Sequence, residues 1–345
     1  MAGFATIQRM QKSYFPNKTI LVTGAAGFIG SHLTTQLLEL GAKVIGADNL
    51  ITGSESNVEA ILSNRHAAEN FIFAKADVNQ PPESYLPENT KVDAIFHLAS
   101  PASPDRYQEN PRETYLVNSW ATHQLLDFLL ATNPEARFLF ASTSEVYGDP
   151  KVHPQTEDYW GNVNPNGPRS CYDEAKRLGE SICGVYERDF DLDARIVRIF
   201  NTYGPRMDID DGRVVPNFIK HALANEKLPV YGAGSQTRSY CFVDDLVEGL
   251  LKMISIDGLS GETINLGNPD EYTVLETAEV IKKIARGNFS ADEDLEYHPL
   301  PQDDPTRRKP NIDKAKQLLD WQPAVSFEKG LRTTVEYFKN RKITI

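Results

Sequence analysis

The chain contains 345 residues, of which 40% are hydrophobic and 24% charged, and its net charge is −12. This length and apolar fraction are enough for one broad α/β unit or two interlocked domains. No run is long enough to span a membrane, and residues 1–16 lack an apolar signal core, so we expect a polar N-terminal extension there. The negative charge, without a basic tract, argues against nucleic acid or an anionic membrane as the main partner.

The cysteines and histidines point to neither a disulfide framework nor a metal site. Cys171, Cys183 and Cys241 are unevenly spaced, which favours free thiols in a reducing compartment, the cytoplasm. The seven histidines are scattered, with no spacing such as His-x-x-x-His. We therefore expect no protein-bound metal.

The first elements along the chain form a strand, a glycine turn and a helix. Residues 18–23 have the apolar character of a buried strand, and Gly24, Gly27 and Gly30 follow. Residues 31–40 then carry leucines at helical spacing and end at Gly41. In such a turn, backbone N–H groups and the helix dipole can hold a pyrophosphate.

Three further strands are predicted in this half of the chain. Residues 43–47 lead to Asp48, where a carboxylate can bind the adenine ribose hydroxyls and repel a 2′-phosphate, which favours NAD over NADP. Residues 71–74 end before Asp77, near the expected adenine position. Residues 94–100 form a strand expected to run under the pyrophosphate.

The candidate chemistry lies after the next strand and on the following helix. Thr143 follows an apolar run at 138–140, and the carboxyl ends of parallel strands are where open α/β sheets place reactive groups. Tyr172 and Lys176 are four residues apart, so they share a helix face. A neighbouring ammonium would lower the pKa of the phenol and let it take a proton from a sugar hydroxyl. By itself, this short pattern also fits a surface aromatic over a solvated lysine.

The glycine spacing, together with Thr143, Tyr172 and Lys176, resembles the extended short-chain dehydrogenase/reductase family. The resemblance implies an α/β fold: a Rossmann-like doubly wound parallel sheet with a smaller, discontinuous α/β substrate domain. It places NAD on residues 17–200 and 239–267, and the substrate on residues 201–238 and 268–340. The cofactor ligands that it implies are Gly24, Gly27, Phe28, Ile29, Gly30, Asp48, Asn49, Asp77, Val78, Leu98, Ser100, Ser119, Tyr172, Lys176, Thr202 and Arg213.

Within that family, the segment 143–148 and longer blocks at 97–104, 159–165, 234–238 and 302–305 are similar to UDP-glucuronate decarboxylases. That resemblance implies C4 oxidation by NAD, loss of CO2 from the β-keto acid, and re-reduction to UDP-xylose. The catalytic residues that it implies are Thr143, Ser144, Glu145, Tyr172, Lys176 and Arg238. The implied substrate ligands are Asn201, Tyr231, Arg238 and Arg308.

Three other functions remain open on the sequence. The chain could be another NAD-dependent nucleotide-sugar enzyme, a 4-epimerase or 4,6-dehydratase, and Glu113 is an unusual neighbour for a glucuronate carboxylate. It could release a UDP-4-keto-pentose with NADH, or bind NAD without catalysis. The family resemblance also implies a homodimer through helices, for which the apolar residues at 125–130 are candidates or simply core.

Overall fold

The computed structural model describes residues 13–299 and 307–341. Most of the predicted N-terminal extension and all of the 302–305 block lie outside the described residues. The strands are β1 (Thr19–Thr23), β2 (Lys43–Asp48), β3 (Phe71–Lys75), β4 (Ala94–His97), β5 (Arg137–Thr143), β6 (Asp193–Ile199), β7 (Thr202–Tyr203), β8 (Leu228–Tyr231), β9 (Thr237–Ser239), β10 (Cys241–Phe242), β11 (Thr263–Leu266), β12 (Glu271–Thr273) and β13 (Leu295–His298).

Twelve α-helices follow β1 along the described part of the chain. They are α1 (Phe28–Glu39), α2 (Glu55–Leu62), α3 (Ala67–Asn70), α4 (Pro104–Glu109), α5 (Pro111–Thr132), α6 (Ser170–Phe190), α7 (Val214–Ala224), α8 (Val243–Ser255), α9 (Val274–Arg286), α10 (Ala291–Asp294), α11 (Asp313–Leu319) and α12 (Phe327–Asn340). Short 3-10 helices lie at Pro82–Ser84 and Ser144–Tyr147. In the part of the chain that the structure covers, no helix combines the length and apolarity needed to cross a bilayer.

A seven-stranded sheet in the order β11-β6-β5-β4-β1-β2-β3 forms the centre of the molecule. All its neighbouring pairs are parallel, from β2 with β3 at one edge to β11 with β6 at the other. The strand order reverses direction between β1 and β4, and ligands bind at such a switch point in open α/β sheets. The predicted doubly wound Rossmann-like sheet is therefore confirmed.

Alternate side chains of the central strands enter two apolar cores, one on each face of the sheet. Leu21 and Phe138 pack with residues of α5, such as Leu125. Val22 and Leu139 face the opposite way, where α1 and α8 cover the sheet. Because both faces are covered, the strands consist of nearly continuous apolar residues.

Smaller elements at the carboxyl edge of the sheet complete the fold. Parallel β8 and β13, antiparallel β9 and β12, and parallel β7 and β10 form three two-stranded sheets. Helix α9 packs on α7 and α12, and it begins with a capping box between Thr273 and Glu276. The predicted boundaries of the two domains stay a prediction.

Candidate active site

A cavity of about 800 Å³ opens at the carboxyl edge of the central sheet. Gly24 after β1, Leu98 after β4, Thr143 at the end of β5 and Asn201 after β6 all line it. Tyr231 and Arg238 from the smaller sheets form the other side. One cavity therefore joins the predicted cofactor residues to the predicted substrate residues.

The glycine turn forms a surface that fits a dinucleotide pyrophosphate. Gly24 has φ +75°, and a Cβ there would lie 2.8 Å from the backbone of Ala99. A Cβ on Gly30 would lie only 2.0 Å from the carbonyl oxygen of Gly24. Helix α1 starts at Phe28, so its unpaired N–H groups face the cavity that Gly27, Phe28, Ile29 and Gly30 line.

Asp48 supports this turn through its carboxylate. Its oxygens accept hydrogen bonds from the backbone N–H groups of Ala26, at 3.0 Å, and Leu50, at 2.8 Å. Burial raises the pKa of this carboxyl, while those backbone bonds oppose the rise. The residue is 7% exposed and does not itself line the cavity, but its neighbour in space, Gly53, does. The carboxylate is thus built into the loop that forms this side of the cavity.

Thr143, Tyr172 and Lys176 meet at the floor of the cavity, as the sequence predicted. The Thr143 side chain hydrogen-bonds the Tyr172 phenol. Lys176 donates to the Ala141 carbonyl at 2.6 Å, and its Nζ lies 5.8 Å from the Tyr172 ring centroid. All three side chains are buried, since β5 ends under the first two turns of α6.

The expected lowering of the pKa of Tyr172 by Lys176 is wrong. Burial raises the pKa of Tyr172 to about 12; the Thr143 hydrogen bond and the charge of Arg213 oppose this, and Glu145 and Asp173 add to it. Burial also lowers the pKa of Lys176 to about 7, although Glu180 opposes it. The loss of hydration on burial therefore has a larger effect on both pKa values than the attraction between the ammonium and the phenolate.

A second tyrosine that sequence reasoning missed covers Tyr172. Tyr107 on α4 stacks on it with ring centroids 4.9 Å apart and planes 5° from parallel. The Tyr107 ring is 1% exposed, and its hydroxyl has no hydrogen-bond partner among residues 13–299 and 307–341. No local pattern around Tyr107 marks it, because the contact joins two helices that are far apart in sequence.

Glu145 is the centre of a charged cluster beside the tyrosines. Arg308 and Arg169 both donate to its carboxylate. Burial would raise the pKa of Glu145, but these two arginines, with Arg238 nearby, outweigh it and lower the pKa to about 2. Glu145 and Arg308 were predicted as site residues, whereas Arg169 was missed. The sequence does place Arg169 four residues before Asp173, a spacing that favours an ion pair on a helix. In the structure, Nε of Arg169 lies 3.6 Å from Oδ2 of Asp173.

The remaining predicted residues of the cavity line it from several sides. Ser100, Ser144, Thr202 and Arg213 contribute to its wall. Arg213 forms an ion pair with Asp211, with Nη2 2.8 Å from the carboxylate, and its charge acts on the Tyr172 phenol. Arg238 is 8% exposed and donates to the Thr237 carbonyl at 2.9 Å. These positions bring cations to a cavity inside an acidic protein.

Besides Asp48, four predicted cofactor residues do not line the cavity. Asn49 is exposed, and its side chain accepts the N–H of Ile51. Asp77 accepts the N–H of Asn79, while Val78 is buried in apolar core. Ser119 turns back to the Tyr115 carbonyl, because the register of α5 instead points Asn118 at Ser100, with Nδ2 2.9 Å from Oγ.

Two further charged residues do not act on the cavity as free charges. Arg206 donates to the Ser31 carbonyl and the Thr35 hydroxyl of α1, both at 3.0 Å. It lines the cavity, but these bonds hold its loop against α1. Glu113 is exposed in the first turn of α5 and does not line the cavity. The suspected conflict with an anionic substrate therefore does not arise.

A family model described as GDP-mannose 4,6 dehydratase matches residues 21–334. The chain belongs to this family, within the extended short-chain dehydrogenase/reductases. The match covers both the glycine turn and the tyrosine–lysine pair, as the sequence resemblance predicted.

Relatives within the family are nearly 50% identical to this chain over the aligned residues. UDP-glucuronic acid decarboxylase 1 of Danio rerio is 49% identical over 93% of this chain and 72% of its own length. UDP-glucuronic acid decarboxylase 6 of Arabidopsis thaliana is 47% identical over 96% of this chain and 92% of its own length. Among solved structures is the UDP-glucuronic acid 4-epimerase of Bacillus cereus, in complex with UDP-glucuronic acid and NAD. It is 29% identical, has a TM-score of 0.80, and the alignment covers 93% of this chain and 99% of the epimerase chain.

Proposed function

We propose that this family member is an NAD-dependent UDP-glucuronate decarboxylase that forms UDP-xylose and CO2. One observation carries the proposal: Arg169, Arg238 and Arg308 surround Glu145 next to Tyr172, in a protein of net charge −12. A local excess of buried guanidinium groups is suited to an anionic sugar, because a fork of donors matches carboxylate and phosphate oxygens. The identities of 47% and 49% to UDP-glucuronic acid decarboxylases support the same substrate.

The proposed roles start from the hydroxyl at C4 of the sugar. Tyr172 exchanges a proton with this hydroxyl, and Thr143 turns its single O–H donor from the phenol to the same C4 oxygen when the sugar binds. Because burial favours the neutral phenol, the phenolate needs the nearby cations Lys176 and Arg213. Bound NAD supplies the hydride acceptor for C4 and later returns the hydride.

Decarboxylation follows from the position of the C4 carbonyl. It is β to the C6 carboxylate, so the bond to CO2 can break with its electrons delocalised into an enolate. The site residues then have to hold that enolate and protonate C5. In this proposal, Arg308 and Arg238 stabilise the negative charge, and Glu145 and Ser144 orient the sugar.

We assign the two parts of the chain different tasks. Residues 17–200 and 239–267 bind NAD, and residues 201–238 and 268–340 bind the UDP-sugar through Asn201, Tyr231 and Arg308. The three free thiols, of which Cys183 and Cys241 are buried, fit a reducing compartment, and we propose the cytoplasm. Microscopy of the fluorescently tagged full chain tests that location.

The decisive experiment follows purified protein with UDP-glucuronate and NAD by NMR, observing the anomeric protons and bicarbonate together. UDP-xylose and bicarbonate without net NADH is the expected result. UDP-galacturonate without bicarbonate would identify a 4-epimerase, and a UDP-4-keto-pentose with equimolar NADH would identify a decarboxylase that stops midway. Tyr172→Phe should abolish turnover while UDP binding remains; full turnover in this variant would contradict the proposed base.

We further propose a homodimer through the exposed side of α5 and α6. Trp120, His123, Tyr186 and Phe190 form a continuous row of ring contacts across the two helices, with centroids 5.2–6.0 Å apart. Trp120 is 49% and Phe190 54% exposed, so apolar surface remains to be covered. The leucines at 125, 126 and 129, candidates from sequence, are instead buried in the monomer core.

Light scattering of single variants tests this interface. Trp120→Glu and Phe190→Glu should convert a dimer to a monomer, since each places a charge in the proposed contact. Leu62→Glu, on the exposed side of α2 and also exposed at 56%, is the matched control and should stay dimeric. A wild type that is monomeric at micromolar concentration would exclude this interface.

A further inference from the structure

Decarboxylation of the sugar consumes one proton, which a group of the protein or the solvent has to supply. The inference about its source rests on the proposed function. Loss of CO2 leaves an electron pair that C5 must share with a proton, so the net change is R–CO2⁻ + H⁺ → R–H + CO2. The proton that Tyr172 takes from the C4 hydroxyl returns to the C4 oxygen on reduction. One proton per turnover must therefore enter from solvent.

A second cavity of about 300 Å³ lies beside the first. Glu145, Arg169 and Arg308 line both cavities and form the partition between them. The remaining wall of the second cavity is mostly polar backbone and side chains, with Asp149, Asn162 and Asn164 among them. It is large enough to hold several water molecules, whose share of liquid volume is about 30 Å³ each.

Asp173 on α6 lines this second cavity with an incompletely bonded carboxyl group. It is 6% exposed, and its Oδ1 has no hydrogen-bond partner among the residues that the structure describes. Its Oδ2 lies 3.6 Å from Nε of Arg169, and the same guanidinium donates through Nη2 to Glu145. One arginine thus bridges the carboxyl in the second cavity and the carboxylate at the partition.

The surrounding charges give the carboxyl groups of Glu145 and Asp173 different pKa values. Arg308 and Arg169 overcome the effect of burial on Glu145 and lower its pKa to about 2, so Glu145 is a poor proton carrier. Burial and the charge of Glu145 raise the pKa of Asp173 to about 7, against Arg169 and Arg308. The other ionisable groups near Asp173 are Cys171, Tyr172 and Tyr107, which its charge affects, and Asp149 across the cavity.

We propose that Asp173 relays solvent protons from the second cavity, past Glu145, to C5 of the decarboxylated sugar. In each turnover one O–H bond of Asp173 breaks, a water molecule at the partition carries the proton onward, and one C5–H bond forms. Solvent in the second cavity then reprotonates Asp173. The residue acts through the partition and not by contact with the sugar, so it is a positioning residue for the proton.

Replacement of Asp173 should change proton transfer while leaving the sugar site intact. In Asp173→Asn, we expect kcat to fall by about 10–100-fold, below the range for a direct general acid because water can still enter. The solvent deuterium isotope effect on kcat should rise, and UDP affinity should stay within about twofold. The wild-type kcat should decrease as the pH rises through about 7, and this decrease should be smaller in the variant, in which Lys176 still titrates there but Asp173 does not.

A small acid should replace the missing carboxyl. Added formate should restore at least part of the kcat of Asp173→Ala, because the second cavity can admit it, but should not restore Tyr172→Phe. Glu174→Gln is the matched control: it removes the next carboxylate on α6, which pairs with Arg177 at 3.4 Å outside both cavities. It should show the wild-type rate, pH profile and isotope effect.

Several results would overturn the relay. They are wild-type kcat, isotope effect and pH profile in Asp173→Asn, or no rescue of a folded Asp173→Ala by formate. If neither variant folds, a wild-type kcat that is flat between about pH 6 and 8 excludes the relay instead. Failure of the proposed function is distinguishable, because wild-type protein would then release no CO2 in the same assay.

Discussion

The ring of Tyr107 lies parallel to that of Tyr172, with centroids 4.9 Å apart. The two rings come from α4 and α6, so the stack fixes the position of the candidate proton acceptor from a helix that contributes no other predicted catalytic group. Aromatic pairs of this kind contribute roughly 0.5–1.5 kcal/mol beyond their buried area. The orientation of Tyr172 therefore depends on a contact outside the tyrosine–lysine motif.

Truncation of Tyr107 should therefore impair both stability and turnover. We expect Tyr107→Ala to lower the free energy of unfolding by about 3–5 kcal/mol, as for other buried aromatic rings, and to lower kcat by about 100-fold through misplacement of Tyr172. Tyr107→Phe keeps the stack and removes a buried hydroxyl without a described partner, so it should stay within about 1 kcal/mol. Urea unfolding and steady-state kinetics measure both effects; equal losses in the two variants would assign the role to the hydroxyl.

Glu145 should stabilise the protein in a pH-dependent way. Glu145→Gln leaves Arg308 and Arg169 buried without their shared anion, and we expect a loss of about 3–5 kcal/mol. Because the folded pKa is about 2, below the ordinary value of 4.5, this contribution is present above about pH 4.5 and is lost as the pH falls toward 2. Urea unfolding at pH 7 and pH 3 should therefore show a large difference between wild type and variant that shrinks at pH 3.

Glu174→Gln is the control for that measurement. Its carboxylate is 38% exposed and pairs with Arg177 at 3.4 Å, so its removal should cost at most about 1 kcal/mol at either pH. A Glu145→Gln variant as stable as this control would mean that the arginines find other partners.

Local sequence patterns were enough to predict the sheet and the glycine turn. The strand expected at 43–47 is Lys43–Asp48, and the helix expected at 31–40 is Phe28–Glu39. Apolar runs and glycine spacing depend on backbone geometry within a few residues, so the elements predicted from them agree with the structure. The positions of Thr143, Tyr172 and Lys176 followed because a strand end and one helix face fix them.

Contacts between elements that are distant in the chain could not be predicted from these local patterns. Arg169 and Tyr107 belong to the site only because α4 and the start of α6 meet over β5. Ser119 donates to the Tyr115 carbonyl whereas its neighbour Asn118 donates to Ser100, because adjacent residues on a helix point about 100° apart. The raised pKa of Tyr172 depends on total burial, which sequence spacing does not reveal.

Gly30 should be irreplaceable for a steric reason. In Gly30→Ala, the new Cβ would lie 2.0 Å from the Gly24 carbonyl oxygen, so the turn and α1 must separate. We expect loss of NAD binding and a lower melting temperature. Gly184→Ala on α6 is the control: its Cβ meets only the flexible end of Arg188, and alanine should add up to about 1 kcal/mol of helix stability. Calorimetric titration with NAD and thermal unfolding compare the two; undiminished NAD affinity in Gly30→Ala would contradict the close approach.

Asp48 should affect the shape of the turn as well as the choice of cofactor. Asp48→Asn replaces an acceptor of the Ala26 and Leu50 N–H groups with an amide that can satisfy only one of them. We expect unfolding to become easier by about 1–3 kcal/mol and NAD affinity to fall roughly tenfold or more, with little gain for NADP. Calorimetric titration with each dinucleotide and urea unfolding test this.

Asp77→Asn is the matched control for Asp48, because sequence assigned both carboxylates to the cofactor. Asp77 accepts only local bonds from Asn79 and does not line the cavity, so NAD affinity should remain that of the wild type. If Asp48→Asn instead gained NADP affinity with unchanged stability, its carboxylate would act by repelling the 2′-phosphate alone. If Asp77→Asn lost NAD affinity, the adenine side of the site would extend beyond the cavity seen here, as sequence predicted.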